Sequence, residues 1–148
     1  GEMRSVVLKA FEQIRAEGVI RLFRSYRPDC ADGEQQRDFI YLKDAVAMTL
    51  FCLDRSDVTG ILNVGSGAAR SWNDLARAIF AALNRPPRIE YVDMPEALRD
   101  RYQYFTQADL SRLRQTGWQE TGTTLEEAVR DYVVNYLVPG GYLSATSA

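Results

Sequence analysis

The sequence predicts an α/β fold in which short strands alternate with helices and at least some strands run parallel. Two observations carry that expectation. Apolar residues recur at helical spacing in several stretches, most cleanly at positions 72, 75, 76, 79, 80 and 83. Between these stretches lie short apolar runs bounded by turn residues, at 19–23, 38–42, 61–64 and 89–92.

The elements follow in order. Val7, Ala10, Phe11 and Ile14 share one face of a helix starting near Ser5, and Gly18 can end it in the left-handed conformation. A strand is expected at 19–23, then a loop at 25–36 (SYRPDCADGEQQ) carrying Pro28, Gly33 and the acids Asp29, Asp32 and Glu34. A strand over 38–42 leads to Asp44, placed to cap a helix over 45–53. That helix is apolar nearly all round, which implies burial on most sides. Residues 61–64 read as a strand running into Gly65-Ser66-Gly67. Ser71 with Asp74, Thr106 with Asp109 and Thr124 with Glu127 have the spacing of capping boxes, and each opens a helix. Asn84-Arg85-Pro86-Pro87 stops the first of these helices and Gly117 the second. Pro139-Gly140-Gly141 stops the third. Residues 1–138 are expected to form one unit, not separable into independent domains, and 139–148 a disordered tail.

Bulk properties exclude several functions. The 148 residues, 46% hydrophobic and 26% charged, suit one ordinary globular domain. A net charge of −2 gives no electrostatic footprint for nucleic acid or a membrane surface. No apolar run is long enough to span a bilayer, and no secretory signal is visible. Cys30 falls in a polar loop and Cys52 in an apolar helix, which is no disulfide framework; a reducing cytoplasm is the expectation. With no histidine in the chain, the commonest metal ligand and neutral-pH acid–base group is missing, and no metal site is expected. The chain opens Gly1-Glu2-Met3 and enters a helical pattern almost at once, as a segment of a longer protein would.

Three motifs invite chemistry. Val64-Gly65-Ser66-Gly67 is glycine-rich, but Ala68, Ala69 and Arg70 stand where a dinucleotide fingerprint needs its third glycine, so a tight turn is the better reading. Arg37 offers a planar fork matched to phosphate oxygens, with Arg24, Tyr26 and Arg27 in the loop ahead of it. From charge alone, an ion pair with Asp32 or Glu34 accounts for Arg37 equally well. In Arg101-Tyr102-Gln103-Tyr104 an arginine beside tyrosine hydroxyls can grip a sugar or phosphate, and alternating tyrosines equally suit a strand edge.

Taken together, RDFIYLKD, ILNVGSG and RYQYFTQADLSRL, in this order and at these separations, closely resemble the C-terminal half of the ADP-L-glycero-D-manno-heptose 6-epimerase family. These are extended short-chain dehydrogenases acting on nucleotide sugars. The resemblance runs from Gly1 to about Leu137. It implies the edge of a Rossmann-type sheet, with strands at 39–42 and 61–64. A small α/β substrate-binding lobe would hold the strands at 19–23 and 89–92 and the last two helices. It further implies that Phe23, Arg24, Ser25 and Tyr26 line the nucleotide-sugar pocket, that Arg37 grips the diphosphate and that Tyr102 contacts the substrate. Asp38 is expected to brace the loop by hydrogen bonds.

In the family NADP sits on a glycine-rich βαβ unit, and a tyrosine and lysine four apart move protons. Here no tyrosine precedes a lysine at that interval, the lysines being Lys9 and Lys43. The resemblance therefore implies an ADP-heptose-binding half with no catalytic residue and no NADP site, inactive alone and a homo-oligomer when intact. A non-catalytic nucleotide-sugar binding module, another epimerase or dehydratase of the superfamily, and an inert structural fragment are the alternatives.

Overall fold

The computed structural model describes residues 4–140, so most of the expected tail, 141–148, lies outside the described residues. Helix α1 (Val6–Glu17) buries Ala10, Phe11 and Ile14 and ends as expected at Gly18, whose φ of 73° lets its N–H reach Ile14 O at 2.9 Å. Strand β1 (Ile20–Phe23) pairs in parallel with β4 (Ile89–Val92), with Ile20 opposite Ile89 and Phe23 opposite Val92. Helix α3 (Trp72–Ala82) lies at the centre, burying Leu75, Ala76, Ile79 and Phe80. Helix α6 (Leu125–Tyr132), continued by a π-helical turn at Val133–Leu137, adds Leu125, Val129 and Val133 at four-residue spacing. These elements enclose one apolar core. Both outer capping boxes form: Ser71 Oγ accepts from Asp74 N–H, and Thr124 Oγ1 accepts from Glu127 N–H.

A second sheet pairs β2 (Gln36–Asp38) antiparallel with β3 (Ala69–Ser71), Arg37 opposite Arg70. A smaller cluster builds on helix α2 (Leu42–Leu53), where Met48 packs with Leu113 of α5 (Ser111–Gln115) and with Trp118. Lys43 Nζ donates to Asp131 at 2.7 Å, beside a short hydrogen bond from Tyr41 Oη to the same carboxylate, which ties α2 to α6. The short helix α4 (Glu96–Arg99) follows β4.

Several expectations give way. The strand expected over 38–42 ends at Asp38, because Phe39 turns onto Trp72 (ring centroids 5.2 Å apart) and Ile40 joins the second cluster. Residues 39–42 therefore supply no sheet edge, and α2 starts at Leu42. Asp44 lies inside its first turn, its carboxylate accepting from Thr123 N–H (2.7 Å) and Thr123 Oγ1 (2.8 Å). Residues 61–64 form no strand, since no segment among the described residues runs alongside them to make a ladder. The helix expected to open at Thr106 starts only at Ser111, as Thr106 Oγ1 accepts from Asp38 N–H instead. This α5 packs with α2, so the last two helices do not share a lobe.

Nor is α2 buried on most sides. Leu42, Val46, Leu50 and Leu53 are 72%, 48%, 51% and 76% exposed, a stripe at helical spacing, and Met48 alone of the helix is buried. Helical periodicity reports apolarity, not what covers it. An exposed stripe of this kind promotes association. The chain purified alone is expected to scatter light as more than a monomer at high concentration, and Leu50→Lys with Leu53→Lys to restore the monomer. A clean monomer at high concentration before any substitution would remove α2 as an adhesive face.

Candidate functional site

Residues 101–110 alternate in exposure. Arg101, Gln103, Phe105, Gln107 and Asp109 are exposed, while Tyr102, Tyr104, Thr106, Ala108 and Leu110 turn inward, the period-two alternation of a strand-like chain. The segment lies along β2: Gln36 N–H donates to Tyr104 O (2.8 Å) and Thr106 N–H to Gln36 O (3.2 Å). This brings Tyr102 under Arg37, whose guanidinium carbon stands 5.1 Å from the ring centroid. Tyr102 in turn meets Phe23 and Tyr104 edge-on, at 6.5 and 5.5 Å. Burial pushes the Tyr102 phenol up, against a smaller opposing pull from Arg37. At neutral pH it is a hydrogen-bond donor, not a base.

The parallel β1–β4 pair supplies the other wall. Phe23 and Val92 are register partners, so the residues beyond them, 24–26 and 93, emerge at the same end. Carboxyl ends of parallel strands are the usual ligand crevice of such sheets. Tyr26 N–H donates to Tyr104 Oη (2.9 Å) and Tyr26 Oη to Asp93 (3.1 Å), while the Arg99 guanidinium covers the Tyr26 ring at 4.1 Å. Phe23, Tyr26, Arg37 and Tyr102 thus form one connected group. Arg24 and Ser25 sit on the same loop with their polar atoms engaged within that loop and, for Arg24, with Asp93. Arg24 pairs with Asp32 (3.4 Å) and Asp93 (3.7 Å), Ser25 N–H donates to Asp32 (2.7 Å), and Ser25 Oγ accepts from Arg27 N–H (3.2 Å). Asp93 and Arg99 escaped the sequence reading. Only the pairing of β1 with β4 would have placed Asp93, and nothing in the sequence marks Arg99.

Arg37 itself donates to Gln36 O at 2.9 Å, and among the described residues no carboxylate pairs with it. The two acids that could have done so are engaged, Asp32 with Arg24 and Ser25, Glu34 with Asn73 Nδ2 at 2.6 Å. The surface ion pair left open by the sequence does not form. A half-buried, stacked guanidinium with no carboxylate partner among the described residues keeps donors that can take an anion.

Behind Arg37, Asp38 faces the opposite way. Its carboxylate accepts from Ser66 N–H (2.7 Å), Ser66 Oγ (2.6 Å), Gly67 N–H (3.0 Å) and Ala108 N–H (2.8 Å). Burial alone would raise its pKa; the bonds from the Ser66 hydroxyl and the three amides outweigh that and hold it below the usual carboxylate range. It ties β2 to two loop segments, 66–67 and 108. Gly65 permits the close approach: a Cβ there would lie 2.4 Å from Ala108 Cβ and 2.9 Å from Asp38 Oδ2. Gly65→Ala is expected to lower stability by about 1–3 kcal/mol, seen as a lower melting midpoint; an unchanged midpoint would mean that the Ala108 segment yields freely.

The same bonds settle what the glycine motif can do here. The Ser66 and Gly67 amides already serve Asp38, and α3 starts beyond β3 with its own cap at Ser71. These residues do not fit a dinucleotide pyrophosphate, which needs free amides at a helix N-terminus. A hollow of about 600 Å³ lined by Ser66, Gly67, Phe105, Gln107, Asp109 and Arg114 opens nearby, but no candidate substrate residue lines it. Among the described residues no cluster could hold a metal, and no helix is long and apolar enough to cross a membrane.

Residues 1–65 match the family model described as NAD dependent epimerase/dehydratase. Over 137 residues the chain is 54% identical to the Nitratidesulfovibrio vulgaris protein named ADP-L-glycero-D-manno-heptose-6-epimerase, covering 93% of this chain and 42% of that protein. The likeness is to the ADP-heptose epimerases. The protein of the same name from Fusobacterium nucleatum subsp. nucleatum is 42% identical over 143 residues, 93% of this chain and 43% of its own. The chain thus spans less than half the length of these epimerase relatives. Its fold is that of the extended short-chain dehydrogenase epimerases. The Helicobacter pylori ADP-L-glycero-D-manno-heptose-6-epimerase structure superposes with a TM-score of 0.71 at 24% identity, over 90% of this chain and 38% of that one. A UDP-N-acetylglucosamine 4-epimerase from Methanobrevibacter ruminantium M1 does so at 0.75 and 23%, over 95% and 41%.

Proposed function

We propose that this chain is the substrate-binding half of an ADP-glyceromanno-heptose 6-epimerase. The whole enzyme would interconvert ADP-D-glycero- and ADP-L-glycero-D-manno-heptose by NADP-dependent oxidation and reduction at C6″, in the cytoplasm and as a homo-oligomer, for lipopolysaccharide core synthesis. The observation that carries the reading is the Arg37 guanidinium, stacked on Tyr102 with no carboxylate partner among the described residues. The names of the relatives at 54% and 42% identity support the choice of sugar nucleotide. In this reading Arg37 holds the diphosphate, the segment Phe23 to Tyr26 lines the pocket and Tyr102 donates to the substrate. NADP supplies the hydride exchange and is held by residues outside this chain. The contribution here is grip and orientation, which lowers the barrier by fixing the reacting carbon against its partner groups.

The test is conversion. Full-length protein containing this chain, given NADP and ADP-D-glycero-D-manno-heptose, is expected to yield both epimers, resolved by chromatography. Turnover of a UDP-hexose with none of the heptose would assign it to a different epimerase. Binding of ADP-heptose without turnover would leave a non-catalytic module.

A further inference from the structure

We infer that Tyr104 is a positioning residue for the nucleotide-sugar site, an inference that rests on the function proposed above. Two other segments of the site meet at this residue, the 24–32 loop at its side chain and β2 at its backbone carbonyl. Its hydroxyl accepts the Tyr26 N–H at 2.9 Å, a contact across 78 residues of sequence. Its ring meets the edge of Tyr102, the ring on which Arg37 stacks. The Arg27 guanidinium covers it at 5.1 Å, and Arg27 is neutralised by Asp29 at 2.5 Å. Its carbonyl accepts Gln36 N–H at 2.8 Å, next to Arg37 in β2. The loop bearing Tyr26 and the strand bearing Arg37 are therefore registered against each other through Tyr104.

The hydroxyl and the ring do separable things. The base of the 24–32 loop is fixed without Tyr104: Ser25 N–H donates to the Asp32 carboxylate at 2.7 Å, and Asn73 Nδ2 donates to Asp32 O at 3.0 Å. Beyond that base, Tyr26 is tied by the Tyr104 hydroxyl and by its own hydroxyl to Asp93 on the exposed side. Removing the Tyr104 hydroxyl alone leaves the ring stack and the loop base in place and frees the backbone at Tyr26. A lost contact of this kind registers in ligand binding before it registers in folding, because half-exposed loop tips contribute little to global stability.

The experiment is steady-state kinetics on the full-length protein with ADP-D-glycero-D-manno-heptose, comparing Tyr104→Phe with Arg37→Ala. Tyr104→Phe is expected to raise KM about three- to tenfold, the scale of one neutral hydrogen bond, with kcat unchanged. Its melting midpoint should move by less than about 2 °C. If Arg37→Ala raises KM and Tyr104→Phe does not, the Tyr104 inference is wrong and the site stands. If Tyr104→Phe leaves KM alone and lowers the midpoint by several degrees, the hydroxyl is structural and the inference is again wrong. If Arg37→Ala itself leaves KM unchanged, the substrate-site reading fails, and the Tyr104 inference with it.

Discussion

In the full-length protein, Arg37→Ala is expected to weaken ADP-sugar binding by about 1.5–3 kcal/mol, the range for a hydrogen bond to a charged group. That is roughly ten- to over a hundredfold in dissociation constant. The expectation follows from a guanidinium held in place by a backbone carbonyl and an aromatic face, with no acid among the described residues to neutralise it. Arg37→Lys should recover only part of the loss, since an ammonium keeps the charge and gives up the two-pronged geometry. NADP affinity should be unchanged in both variants. Calorimetric titration with the ADP-sugar, alongside melting curves, separates this from a structural role. Unchanged affinity in Arg37→Ala with a lowered melting point would make the arginine part of the scaffold.

Asp38→Ala is expected to be the more damaging change to stability, at about 2–4 kcal/mol, because Ser66, Gly67 and Ala108 lose the acceptor for their N–H groups at once. The pH dependence has a definite sign. The carboxylate is held below its unfolded value of about 3.9, so its contribution is complete above that value. It is lost as pH falls through the lower folded value. Asp131 titrates in the same acid window, held at about 2 chiefly by Lys43, then by Tyr41 and Asn135. Asp38→Asn should therefore flatten only part of the acid limb, lowering stability more at pH 7 than in acid below the folded value. Equal losses in both conditions, by urea denaturation, would show that the carboxylate charge does not hold the two loop segments to β2.

Sequence by itself determined the local grammar. Gly18 ends α1, Ser71 and Thr124 cap α3 and α6, and the stripe from Trp72 to Phe80 is a helix, because each depends on neighbours within one or two turns. It also placed Asp38 as a brace and singled out Arg37. Short apolar runs were less secure: of 38–42 only Asp38 is strand and Leu42 already opens α2, and 61–64 has no ladder, because a strand exists only through its partner. The apolarity of α2 was plain, its exposure was not. Whether Arg37 meets an acid was undecidable from spacing, since Asp32 and Glu34 both stand within five residues of it. Tertiary structure decided it, by giving Asp32 to Arg24 and Ser25, and Glu34 to Asn73. Parallel pairing of β1 with β4 then brought Asp93 to Tyr26, and the segment 101–110 lying along β2 set Tyr102 beneath Arg37. These contacts join residues about 65 to 70 positions apart, and local propensity carries no information over such distances.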